Sequence, residues 1–186
     1  STLSGTIVTS QIDRSTDDAE EEAGSGVVDL DSSDLELVTT GTNQTVGMRF
    51  TGVNVPQGST VTNAYIQFAV DETSSGTALL LIQGVDANNQ GSFSGTDYDV
   101  SSRPRTSASV NWSPAAWPTV GVTGADQRTP DISSIIQEIV DKATWSSGNA
   151  LSIIITGSGT RTAVSYDGDP LGAPILVIEF LLGGPP

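Results

Sequence analysis

The chain of 186 residues contains no cysteine and no histidine. Those two absences remove Ser–His and Cys–His nucleophile pairs, thiolate and imidazole metal sites, and disulfides. Any metal the protein holds must be a hard cation on oxygen ligands. Basic residues are scarce as well: seven Lys and Arg stand against 22 Asp and Glu, the formal net charge is −15, and Lys142 is the single lysine. Such a surface is repelled by phosphate backbones and anionic lipid, so nucleic acid is not an expected partner. It attracts cations, and bound divalent ions would relieve the self-repulsion of the carboxylates. No apolar run approaches the ~20 residues needed to cross a bilayer, so direct membrane insertion is not expected. Scarce lysine and a surface rich in Ser, Thr, Asn and Gly fit an extracellular or cell-surface protein, and a chain opening at Ser1 reads as processed.

What is present is the pattern of a turn-rich β protein, with 36% hydrophobic residues and 20 glycines. Val46, Met48 and Phe50 alternate, as do Ala64, Ile66, Phe68 and Val70 in a segment read as one strand from Thr60 to Asp71. Further strands are expected at 5–12, 27–30, 34–38, 76–86, 150–156, 160–166 and 174–181. Residues 87–105 read as a long polar surface loop or a pair of edge strands. Asp17, Asp18, Glu20, Glu21 and Glu22 read as an acidic run leading to a Gly24/Gly26 loop. One helix stands out: Ile132, Ile135, Ile136, Ile139 and Val140 share a helical face, with Asp131 after Pro130 as its N-cap. The expected fold is therefore all-β, a two-sheet β-sandwich of jelly-roll type with one short α-helix around 131–142. Its expected parts are an N-terminal strand in 1–16 open to exchange with a neighbour, a sandwich domain in 17–182, and a tail in 183–186.

Several short motifs occur in one order: Asp34–Val38, Val46-Gly-Met-Arg-Phe50, Val55-Pro-Gln-Gly58, Val61–Phe68, Val110-Asn-Trp112 with Pro114 and Trp117, Asp131–Val140, Gly148–Leu151, Ser165–Gly168 and Ala173–Ile178. Together they resemble the DNRLRE-type domain, a jelly-roll module of secreted bacterial proteins related to carbohydrate-binding modules. The likeness covers about four-fifths of the chain and leaves out the acidic run at 17–22. It implies an appendage of polysaccharide-degrading or cell-surface proteins, some members being implicated in binding acidic polysaccharides. In jelly-roll sugar-binding modules a structural calcium commonly links N- and C-terminal edge strands. By that resemblance the calcium ligands here would be Asp18, Glu20, Asp34 and Asp167.

Three residue sets bear on chemistry. Asp34 and Glu36 lie two apart on a strand and so share a face, amid carboxylates that otherwise make a solvated acidic surface. Among the aromatics, Trp112 and Trp117 are large enough to belong to the core, Trp145 is placed to seal the helix end, and Tyr98 in the polar loop is the candidate platform for a sugar ring. Arg103 and Arg105, flanking Pro104, are the candidate grip for an acidic ligand, unless they pair with the protein's own acids. No spacing singles out a pair of catalytic carboxylates, so an enzyme is not expected. Two functions remain. One is a calcium-stabilised module for carbohydrate binding or adhesion, with polysaccharide as partner. The other is the repeating subunit of an extracellular filament, with copies of itself as partner, joined by donor-strand exchange through residues 1–12.

Overall fold

The computed structural model describes residues 5–183. Residues 1–4 of the expected N-terminal strand and 184–186 of the expected tail lie outside that range. Twelve strands follow one another: β1 (Thr6–Gln11), β2 (Asp18–Glu22), β3 (Val28–Asp29), β4 (Asp34–Thr40), β5 (Thr42–Phe50), β6 (Thr60–Gln67), β7 (Val70–Glu72), β8 (Leu79–Val85), β9 (Arg105–Trp112), β10 (Leu151–Ser158), β11 (Thr160–Val164) and β12 (Ile175–Leu181). One helix, α1 (Ser133–Val140), interrupts them. This is the all-β sandwich with a single short helix that the alternation implied. No helix among the described residues is long and apolar enough to cross a membrane.

The smaller sheet has the order β1-β12-β6, and the larger runs β7-β11-β4-β5-β10-β8-β9, with β2 inserted beside β5 and β3 beside β2. All pairings are antiparallel. Most neighbours are distant in sequence, which is the mark of jelly-roll crossovers rather than a chain of hairpins. Between the sheets lies the main core, where Val46, Met48 and Phe50 of β5 meet Ile66 of β6, Ile153 and Ile155 of β10 and Ile178 of β12. Phe68, Trp112 and Trp117 form one aromatic group there, Phe68 stacking on Trp112 with centroids 5.9 Å apart. Trp145 is buried behind α1 and donates its indole N–H to the Val55 carbonyl.

The structure departs from the sequence reading in four places. The segment Thr60 to Asp71 is two strands, because the chain leaves the small sheet at Phe68 and joins β11 as β7; all four alternating residues stay buried, so periodicity alone does not show the transfer. The helix is shorter at both ends. The N-cap position is Ile132 and not Asp131; Asp131 lies one residue earlier, accepts from the Ser133 N–H and gives the same oxygen to the Ala64 N–H of β6, so it also covers a sheet edge. The acidic run, where the sequence pattern implies no strand, is one: Asp18–Glu22 is β2, paired with β5 and β3. Acidic residues are poor strand formers, and only tertiary pairing puts them there. Residues 87–105 are not a surface loop throughout, since Phe93 and Val100 lie with Ala19, Val85 and Ile154 in a second, smaller core on the outer face of the large sheet. Gly47 makes room for it, as a Cβ there would meet the Phe93 ring at 2.6 Å.

The free edge of β6 is closed by side chains. Thr129, Asp131 and Gln137 accept from the N–H groups of Ile66, Ala64 and Val61. At the opposite border, β1 pairs with β12 of its own chain and carries no further strand among the described residues.

Candidate functional site

Strand alternation gives β2 two chemically different faces. Glu21 turns toward the smaller core, where its carboxylate accepts from the N–H groups of Val100 and Ser101 at 2.8 and 2.9 Å. Asp18 and Glu20 take the other face, beside Met48 and Val46 of β5. That is the core-facing side of the sheet, and both are nearly removed from solvent, at 3% and 5% exposure. They are tolerated because β4 pairs with β5 only at its C-terminal end, Thr39 and Thr40, while Asp34–Val38 pair with β11 instead. The wedge between β2 and β4 fills with polar groups.

In that wedge a Glu20 oxygen accepts from the Glu36 N–H at 2.8 Å, and Ser32 donates its hydroxyl to Asp34 at 3.1 Å. Carboxylate oxygens of Glu20, Asp34 and Glu36 lie within 4.8 Å of one another. They open into a pocket of about 380 Å³ whose walls also include Glu22 and Asp29. A second trio, Asp34, Asp71 and Glu72, shares Asp34 with the first. Burial drives the Glu20 carboxyl well above its ordinary range, and the side chain of Glu36 pushes it the same way. Asp18 is pushed up to about 7, first by burial, with Asp167 and Asp17 adding to it and the Tyr166 N–H opposing.

The basic residues are committed elsewhere. Arg49 holds Asp17 through both carboxylate oxygens, Arg14 also reaches Asp17, Lys142 pairs with Asp86, and Arg103 pairs with Asp99. Arg128 lies over Tyr65 and donates to Gln67. Arg161, only 2% exposed, donates to the carbonyls of Gly76, Pro114, Ala115 and Thr160 rather than to any acid. No salt bridge among the described residues reaches Glu20, Asp34 or Glu36.

Of the four expected metal ligands, the structure brings Glu20 and Asp34 together and adds Glu36. Asp18 and Asp167 form a separate neighbourhood. Asp18 sits two residues along β2 from Glu20, ~7 Å away. It accepts from the Tyr166 N–H, while Asp167 accepts from the Ser15 hydroxyl. Glu36 was legible as the same-face partner of Asp34. Its closeness to Glu20 depends on the divergence of β4, which no local spacing encodes. An all-oxygen set of three clustered carboxylates, with a serine hydroxyl beside it, suits a calcium ion, which takes six to eight oxygens.

The expected ligand-binding residues fare differently from one another. Tyr98 is 46% exposed. Arg103 lies over the Phe93 ring, and its five N–H groups go to Asp99, Gln90, Gly91 and Ser92. Arg105 donates to the carbonyls of Ser101 and Arg103, and its buried Nε has no partner. The pair therefore builds the 87–105 segment instead of presenting two open guanidinium groups. No family model matches the chain, and no curated protein matches it.

Proposed function

We propose that this chain is a non-catalytic, calcium-stabilised β-sandwich module acting outside the cell, in carbohydrate binding or adhesion. One observation carries the calcium part: Glu20, Asp34 and Glu36 converge at a half-buried wedge where, among the described residues, no cationic side chain forms a salt bridge with them. Carboxylates removed from water without a counter-charge are stabilised by hydrogen-bond donors, by protons or by a metal, and a hard divalent ion fits three clustered carboxylates. Such an ion would tie β2 to β4 and add to the stability of the sandwich without taking part in bond-breaking. The carbohydrate part is supported by the exposed Tyr98 and by the resemblance of the Asp34–Ile178 motifs to a module of sugar-binding lineage.

The test is thermal unfolding near neutral pH in calcium, in magnesium and in chelator, followed by retention on polysaccharide gels. Calcium at about 100 times its dissociation constant adds about 2.7 kcal/mol, or about 5–10 °C for a domain of this size. The double variant Asp34→Asn, Glu36→Gln should lose that response. Identical melting in calcium and chelator would overturn the calcium part.

A second reading, a filament subunit assembled by strand exchange, draws on the placement of β1. It is the outermost strand of its sheet, and its side chains are largely exposed, Ile7 among them. Electron microscopy of the full chain and of a variant lacking residues 1–11 tests it: polymers only in the former support exchange, and the same state in both defeats it.

A further inference from the structure

We propose that the open cleft between the outer edge of β3 and the turn at Gly95 is the glycan subsite of the module, and that it takes a neutral, hydroxyl-rich polysaccharide in preference to an acidic one. This rests on the carbohydrate reading above and gives it a place and a selectivity.

The cleft has a volume of about 620 Å³ and is lined by Ser15, Val27, Asp29, Leu30, Asp31 and Gly95, with Val28 completing its wall. One side is a strand edge: β3 pairs with β2 alone, so among the described residues its outer edge is unclaimed by another strand. Val27 is exposed there at 55%, an apolar surface suited to the C–H face of a pyranose.

Tyr98 stands beside this cleft, fastened to the residue that precedes Val27. Its N–H donates to the Gly26 carbonyl at 2.8 Å, and its ring covers Gly26 so closely that a Cβ there would meet ring carbons at 2.5 Å. It is the one non-glycine residue among those described with a left-handed backbone, φ 63°. A bulky side chain in that region is an outlier, and such strain gathers at ligand-binding positions. Its carbonyl accepts from the Ser102 N–H, which completes the hold on the turn. The outcome is a half-exposed aromatic ring on a fixed backbone, a platform that loses little freedom when a sugar stacks on it.

The polar groups of the cleft set the selectivity. Asp29 and Asp31 are exposed, and one oxygen of Asp29 accepts from the Asp31 N–H. Carboxylates accept hydrogen bonds from sugar hydroxyls and repel uronate or sulfate groups. The guanidinium that might have reversed this, Arg103, has all its donors engaged within its own segment. An acidic polysaccharide, the ligand class implied by the sequence resemblance, therefore meets like charge here.

Affinity gel electrophoresis and calorimetry, in excess calcium, with soluble β-glucan and xylan against polygalacturonate provide the test. The unaltered chain should be retained by a neutral glycan and not by polygalacturonate. Tyr98→Gly suits the left-handed backbone, so the turn should keep its shape while binding weakens roughly tenfold, the worth of a lost stacking contact. Val27→Asp changes an exposed residue and should weaken binding to a similar degree. Neutral-glycan retention that survives both variants overturns the cleft while leaving the carbohydrate reading intact. Equal or stronger retention by polygalacturonate overturns the selectivity. Retention by none of the three glycans overturns the carbohydrate reading, and the cleft with it.

Discussion

Raising the pH in the presence of chelator should weaken this protein well before any ordinary base denaturation, and calcium should lessen the effect. The cause lies on the core-facing side of β2. Asp18 has a carboxyl raised from 3.8 to about 7. Between those values the folded chain keeps a proton that the unfolded chain has released, so stability falls as pH rises. The contribution is fully present below the unfolded value and gone once the pH has passed the folded one. A shift of roughly three pKa units at about 1.4 kcal/mol each makes about 4 kcal/mol from Asp18 alone. Glu20 acts in the same direction, since its carboxyl is raised by burial and by Glu36. For a domain of this size, 4 kcal/mol corresponds to roughly 8–16 °C in Tm. The assay is a calorimetric Tm series from about pH 4 to about pH 8, once in chelator and once in excess calcium. In chelator the Tm should fall steadily across that range. In calcium the fall should be smaller, because the ion takes the place of the Glu20 proton and gains affinity as it leaves, while the separate Asp18 contribution is still lost. Asp18→Asn should flatten the chelator series and raise its upper end. A chelator series that is flat, or that rises with pH, would refute the reasoning, for it would mean that these carboxylates are charged and satisfied without a metal.

Three further expectations concern the scaffold. Gly47→Ala should cost about 1–3 kcal/mol in urea unfolding, since its Cβ would press on Phe93 and Val100. Arg161→Met keeps the volume but leaves the carbonyls of Gly76, Pro114 and Ala115 without their donor, so a loss of about 3 kcal/mol or more is expected in the same measurement. Arg103→Ala should leave global unfolding less affected than the local stability of residues 87–105, read as faster amide hydrogen exchange and earlier proteolytic cleavage in that segment.

The fold was legible wherever burial follows a simple period. Alternation marked β5 and β6, and the 3.6-residue spacing of Ile132, Ile135, Ile136 and Ile139 marked α1. It was not legible at β2, where a run of Asp and Glu is held in a sheet by partners far along the chain: Arg49 for Asp17, the Val100 and Ser101 N–H groups for Glu21, and the Glu36 N–H for Glu20. The candidate site was half visible for the same reason. The same-face relation of Asp34 and Glu36 is local, whereas the approach of Glu20 depends on how two strands part. The arginines show the converse. Arg103 and Arg105 looked available because sequence shows charge and not hydrogen bonds, and the structure consumes Arg103 entirely in shaping a loop.

The borders of the three-stranded sheet are unlike each other, and that gives the molecule a direction. On one flank, borrowed oxygens from Thr129, Asp131 and Gln137 occupy the amides that a newcomer would need. On the other flank, Thr6–Gln11 offers its outer amides and carbonyls to whatever arrives. A ribbon sealed along one margin can lengthen only from the other, so this three-stranded sheet can grow only outward from β1.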